Sequence, residues 1–203
     1  MQSVHQQVLT IILGFERGEI FFPEKFDYIG NSDSIRQALS RICKDGLIIR
    51  ISKGIYLYPI IDSELGFLYP SVDTVAKAIA KRDKARIIPT GAYALNRLGL
   101  SSQMPMNVIY LTDGISRRIR IGNQTITFKQ TAPKNFSFKG EVTPLVVFAL
   151  KEIGKDAVTD EDIKQIEKIL RFEKKEIIVS DAYIAPRWIT DTILSLISDF
   201  KNE

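Results

Sequence analysis

The sequence predicts an α+β fold in two modules, and three observations carry that prediction. The first sixty residues alternate short helical and extended patterns, with 7 Lys and Arg against 6 Asp and Glu. Residues 61–140 are strand-rich and basic, with 12 cationic against 5 acidic side chains. Residues 141–203 are helical and acidic, 9 against 13. A chain of 203 residues suits one large domain or two small ones. Its 45% hydrophobic and 26% charged content is that of a packed chain rather than a disordered one. No run of about 18 apolar residues offers a membrane span. The start, MQSVHQQVLTIILGFERGE, lacks the basic region and small-residue cleavage site of a secretory signal. The single cysteine, Cys43, excludes an internal disulfide and a cysteine metal cluster, and the single histidine, His5, excludes a His-rich site. These readings place the chain in the cytoplasm, with no membrane partner.

In the first module, Ser3 caps a helix whose apolar positions Val4, Val8, Ile11, Ile12 and Phe15 recur at helical spacing, ended by Gly18. Glu19–Phe22 is a short extended piece. Pro23 at a first helical position and Gly30 as a left-handed C-cap predict a two-turn helix over 23–29. Asn31-Ser32-Asp33-Ser34 is a cap-rich turn, followed by a helix over about 33–45 closed by Gly46. Residues 47–59 read as a strand, a tight turn at Ser52-Lys53-Gly54 and a second strand. Helix, short strand, helix, helix, hairpin is the order of a winged helix-turn-helix.

The third helix divides by angle. Ile35, Ala38, Leu39, Ile42 and Cys43 share an apolar sector, and Asp33, Gln37, Ser40, Arg41 and Lys44 lie opposite with Arg36 flanking. A recognition helix needs this division: one face packs, and the other offers donors to base edges and phosphates in the major groove. The DNA-contacting set expected here is Ser32, Ser34, Arg36, Gln37, Ser40, Arg41 and Lys44, with Lys53 at the wing tip touching the backbone. The plain alternative is an amphipathic helix with a solvated face; the cap-rich turn and the Lys53-Gly54 hairpin favour DNA. Asp33 opposes close base approach, although an acid suits a helix N-terminus. Cys43 reads as a buried small hydrophobe.

Residues 60–70, with Pro59, Gly66 and Pro70, read as a structured connector, dividing a module of residues 1–68 from one of 70–203. The second module is expected to begin with a helix over 72–82 and a strand at Ile87-Ile88. A Thr90-capped helix stopped by Gly99 and a strand over 108–112 follow. A hairpin pairs 116–121 with 124–130 about Gly122-Asn123, a loop that favours a type II′ turn. Ile119, Ile121, Ile126 and Phe128 form its apolar face. The other face, Ser116, Arg118, Arg120, Thr125, Thr127 and Lys129, is a candidate phosphate-contacting, nucleic-acid surface with Arg117 beside it; the competing reading is a solvated sheet face. Helices from Thr143-Pro144 to about Ile153, over 160–173 behind Thr159, and from Pro186 through 188–197 close the chain.

No phosphate-cradling glycine motif occurs. Gly30-Asn31-Ser32-Asp33-Ser34 is like the start of a nucleotidyltransferase motif but lacks the carboxylate pair that would follow. Asp160-Glu161-Asp162 suits a helix start. No catalytic residue, metal site or cofactor is therefore expected, and the chain is read as no enzyme.

Four segments carry a family resemblance: Ile35–Arg41 with Lys53–Tyr56, Pro89–Leu100, Tyr110–Gly114, and Arg117–Gly122. They resemble the AbiEi-like antitoxins of type IV toxin–antitoxin (abortive infection) systems, over about residues 5–175. The resemblance implies an N-terminal winged helix that binds promoter DNA and represses its own operon. It also implies an α+β antitoxin domain opposing a nucleotidyltransferase-like toxin, with no cofactor. The rival readings are a protein-binding adaptor on a winged-helix scaffold and a transcriptional regulator without a toxin partner.

Overall fold

A computed structural model describes residues 2–198 and residue 200. Met1, Asp199 and residues 201–203, which the expected modules include at their ends, lie outside the described residues. The chain forms two compact units, Met1–Ile79 with Arg120–Gly122, and Ala80–Ile119 with Asn123–Glu203. The division falls within a helix, between Ile79 and Ala80, and not at the connector.

In the first unit, helix α1 (Val4–Leu13) is capped by Ser3, whose hydroxyl accepts from the Gln6 N–H. It ends at Gly14, ahead of the expected Gly18. Strand β1 (Ile20–Phe21) follows, then a 3-10 turn, Pro23–Phe26, in place of the expected helix over 23–29. Gly30 has no left-handed backbone. Its role is close approach, because a Cβ there would lie 3.1 Å from Val4 and from the Ser34 hydroxyl. Helix α2 (Ser32–Lys44) begins at an Asn31 cap, its Oδ1 accepting from the Ser34 N–H at 2.9 Å. Strands β2 (Ile49–Ser52) and β3 (Ile55–Leu57) form the wing, with Gly54 at φ +72° in its turn. The sheet order is β1-β3-β2, all antiparallel, with a bulge between Arg50 and Ser52. This is a winged helix-turn-helix. Its core joins Val8, Ile12, Ile35, Leu39 and Ile42 to a cluster of Phe15, Phe21, Phe26 and Tyr56 rings at 5.1–6.3 Å.

The connector is itself a hairpin. Among the described residues, strands β4 (Ile60–Asp62) and β5 (Gly66–Leu68) pair only with each other. Helix α3 (Val72–Arg82) follows, with the Ser71 hydroxyl accepting from the Thr74 N–H.

Strands β6 (Ile87–Thr90), β7 (Asn107–Thr112), β8 (Arg117–Ile121) and β9 (Gln124–Gln130), which belong to the second unit except for Arg120 and Ile121, form a sheet ordered β6-β7-β9-β8. The β7–β9 pair is parallel. Thr90 belongs to β6, opposite Ile109, so it does not cap helix α4 (Ala92–Arg97); Gly91 at φ +63° takes that place. Gly99, at φ +67°, follows α4 as expected. Tyr110 stacks on Phe128 at 6.0 Å and meets Tyr93 at a tilt of 60° and 5.8 Å. Helices α5 (Thr143–Ile153), α6 (Asp160–Leu170), α7 (Lys175–Ala182) and α8 (Arg187–Leu196) follow. Thr159 and Asp162 form a capping box on α6. That helix ends at Leu170, before the expected residue 173, and α7 forms where the sequence pattern predicts no helix. Val146, Val147, Leu150, Ile166, Leu170, Ile178, Ile189 and Ile193 make the core.

Two carboxylates organise the entry to α5. Asp181, fully buried, accepts from the N–H groups of Lys139 (2.9 Å) and Gly140 (2.8 Å). Glu173 accepts from those of Glu141 (2.6 Å), Val142 (2.9 Å) and Thr143 (2.9 Å), and from the Thr143 hydroxyl. The orphan donors of the helix start thus have fixed anionic partners from later in the chain.

Candidate nucleic-acid interface

The third helical segment of the sequence reading is α2, whose periodic apolar residues bury Ile35, Ala38, Leu39 and Ile42 and so turn Gln37, Ser40, Arg41 and Lys44 to solvent. These four residues lie at i, i+3, i+4 and i+7 and form one stripe of donors along the helix. Arg41 and Lys44 occupy the last turn, where cations are favoured by the dipole. Lys53 is exposed at the wing tip. Arg50 is exposed on β2 and Tyr28 is 78% exposed in the turn ahead of α2. Neither was expected as a contact. The alternation Ile49-Arg50-Ile51 marks Arg50, and Tyr28 carries no sequence signal.

Three of the expected residues are engaged locally. Arg36 donates to the Ser32 hydroxyl at 3.0 Å, the Ser32 carbonyl at 3.1 Å and the Asp33 carboxylate at 2.9 Å. Its guanidinium and the Ser32 hydroxyl are therefore drawn to the helix start. The Ser34 hydroxyl donates to the Asn31 carbonyl and amide oxygens, so it serves the cap and not a ligand. Cys43 is half-buried, and burial pushes its thiol up against a lesser opposing pull from Arg50.

The basic hairpin differs more from expectation. Arg118, Arg120 and Lys129 are exposed. Arg120 bends back to donate to the Gly122 carbonyl at 3.2 Å. Thr127 is buried and donates to Asn107 Oδ1 at 2.7 Å, and Thr125 is half-buried. Arg117 pairs with the Asp83 carboxylate and stands 5.4 Å from the Phe128 ring centroid. Burial, and then Arg82, pull its pKa down. Ser116 is exposed and its hydroxyl accepts from the Gln130 N–H at 2.8 Å, so the cations open on the expected surface are Arg118, Arg120 and Lys129.

Among the described residues no group of three or more His, Cys, Asp or Glu could hold a metal. No helix among them is long and apolar enough to cross a membrane.

Fold and donor stripe together define an α+β protein built on a winged helix-turn-helix. A family model described as a family of unknown function, DUF6088, matches residues 7–178, and the chain belongs to that family. No curated protein matches the chain. Among solved structures, the crystal structure of RV2827C protein from Mycobacterium tuberculosis is similar at a TM-score of 0.39 and 10% identity. That similarity covers 97% of this chain and 81% of that one.

Proposed function

We propose that this protein is a cytoplasmic, DNA-binding antitoxin that represses its own operon and counteracts a nucleotidyltransferase-like toxin. The observation that carries the DNA-binding half is the exposed stripe Gln37, Ser40, Arg41 and Lys44 on α2, with Lys53 on the adjoining wing. The Gln37 amide can donate to adenine N7 while accepting from its N6 amine, the Arg41 guanidinium can donate to both guanine O6 and N7, and Ser40, Lys44 and Lys53 suit phosphate oxygens. The packed face of α2 locks that stripe onto a rigid unit, as a base-reading helix requires. The antitoxin half is supported by the resemblance of Pro89–Leu100 and Arg117–Gly122 to AbiEi-like antitoxins.

The two halves are tested separately. DNA from immediately upstream of the operon should be shifted by the protein, and Gln37→Ala or Arg41→Ala should relax its sequence preference. Co-expression with the neighbouring nucleotidyltransferase-like gene should restore growth. A neighbouring gene of another class, or absence of rescue, removes the antitoxin half and leaves the DNA test standing.

A further inference from the structure

The hairpin β4–β5 is a two-stranded sheet with both outer edges unpaired. Such a hairpin alone is marginal in water. Its root is nonetheless fastened to the winged helix. The Arg17 guanidinium lies 4.1 Å from the Tyr58 ring centroid and donates to the Pro59 carbonyl at 3.1 Å. The Gly18 N–H donates to the Tyr58 carbonyl, and the Tyr58 N–H to the Glu19 carbonyl. Ile60 comes so near Gly18 that a Cβ there would stand 3.2 Å from its Cδ1.

Beyond that root the side chains are apolar and open to solvent. Ile61 pairs across the ladder with Phe67, so the two share a face, and Tyr69 follows two residues on. They are 60%, 44% and 65% exposed, and Leu65 in the turn is 77% exposed. Asp62 alternates to the other face, and its carboxylate is held in the turn by the Glu64 and Leu65 N–H groups at 2.8 and 2.9 Å. The side chains at Ile61, Phe67 and Tyr69 are themselves uncharged, and the exposed Glu64 lies in the turn beside Leu65. Exposed contiguous apolar patches of this kind mark interaction sites.

We infer that this face pairs with the same face of a second copy of the chain, joining two winged helices about a two-fold axis. An uncharged apolar face is self-complementary, which a two-fold interface requires. Complete burial of the exposed parts of Ile61, Phe67, Tyr69 and the turn residue Leu65, at about 150–250 Å² per large side chain, would remove roughly 400–600 Å² per copy, about 800–1,200 Å² for the pair, the range of weak and transient interfaces. That size fits a reversible dimer. Joined copies of a helix-turn-helix read two half-sites about one helical turn of DNA apart. The purpose given to pairing rests on the DNA-binding reading; the pairing itself does not.

The test is sedimentation of the full chain, without DNA, across a concentration series from nanomolar to high micromolar. Two variants accompany it, the double variant Ile61→Lys/Phe67→Thr and the single variant Tyr69→Glu, each with a melting curve. The parent should pass from monomer to dimer, and both variants should stay monomeric and melt as the parent does. On DNA with two half-sites the parent should bind cooperatively, and the variants without cooperativity and about tenfold more weakly. A parent that is monomeric throughout, or a dimer that survives both variants, overturns the inference. A dimer that ignores promoter DNA upholds the pairing and refutes the DNA-binding reading instead.

Discussion

Removal of the Glu173 side chain should destabilise the second unit, and the structure sets the size of the effect. The carboxylate accepts four hydrogen bonds, from the N–H groups of Glu141, Val142 and Thr143 and from the Thr143 hydroxyl. In Glu173→Ala the exposed Glu141 N–H regains water. The Val142 and Thr143 donors are partly buried, and each left without a partner costs about 1–2 kcal/mol. The expected loss is about 2–4 kcal/mol, a fall in melting temperature of roughly 5–15 °C. Glu173→Gln keeps one accepting oxygen and should lose about half as much. Burial pushes the Glu173 carboxyl up, but the Thr143 hydroxyl and the three N–H donors outweigh it and hold it below its ordinary value of 4.5. A carboxyl depressed in the folded state gives stability that is fully present above its unfolded pKa and lost as pH falls through its folded pKa. The gap between parent and Glu173→Ala should therefore be constant near neutrality and narrow below about pH 4.5. Thermal unfolding followed by circular dichroism across that range measures both quantities. A Glu173→Ala protein within about 0.5 kcal/mol of the parent at neutral pH would refute the reasoning.

Other outcomes follow from the same geometry. Gly140→Ala would drive a Cβ into the Glu173 carboxylate, so it should lower the melting temperature by an amount comparable to Glu173→Gln, and should lose most of that effect in a Glu173→Ala background. Asp113 is held below its ordinary carboxyl value chiefly by the Arg86 side chain, whose Nε lies 2.7 Å from it; Asp113→Asn should lower stability near neutrality, with the difference vanishing in acid. Arg118→Glu/Arg120→Glu replaces exposed side chains and should melt within about 0.5 kcal/mol of the parent. That double variant should repress its promoter and fail to rescue cells from the toxin; unchanged rescue returns the hairpin to a solvated sheet face.

The winged helix was legible because its signals are local. The 3.6-residue recurrence of Ile35, Ala38, Leu39 and Ile42 and the cap-rich turn at Asn31 each involve near neighbours. The errors arise where tertiary partners decide. Pro23 does start a helical turn, yet Phe26 is drawn into the aromatic cluster and the turn stops there. Thr90 looks like a cap but pairs with β7. Ile177-Ile178-Val179 carries no helical contrast, and α7 is specified by burial of Ile178, Asp181 and Ala182. On the basic hairpin, strict alternation put Thr127 in solvent. Thr127 is instead buried, and Asn107 on the adjoining strand β7 takes its hydroxyl. At the DNA face the stripe Gln37–Lys44 was readable from periodicity. The retreat of Ser34 and Arg36 into local hydrogen bonds was not, because it depends on rotamers.

The central claim, that the winged helix reads DNA, is tested most directly by promoter affinity against salt concentration for the parent, Lys53→Ala and Arg41→Ala. Log affinity should fall linearly with log salt as Lys and Arg displace counterions. Lys53→Ala should weaken all sequences alike and reduce the slope by about 1. Arg41→Ala should narrow the gap between promoter and unrelated DNA by about 1–3 kcal/mol. Affinity independent of salt, or no binding to promoter DNA at low salt, would contradict the account.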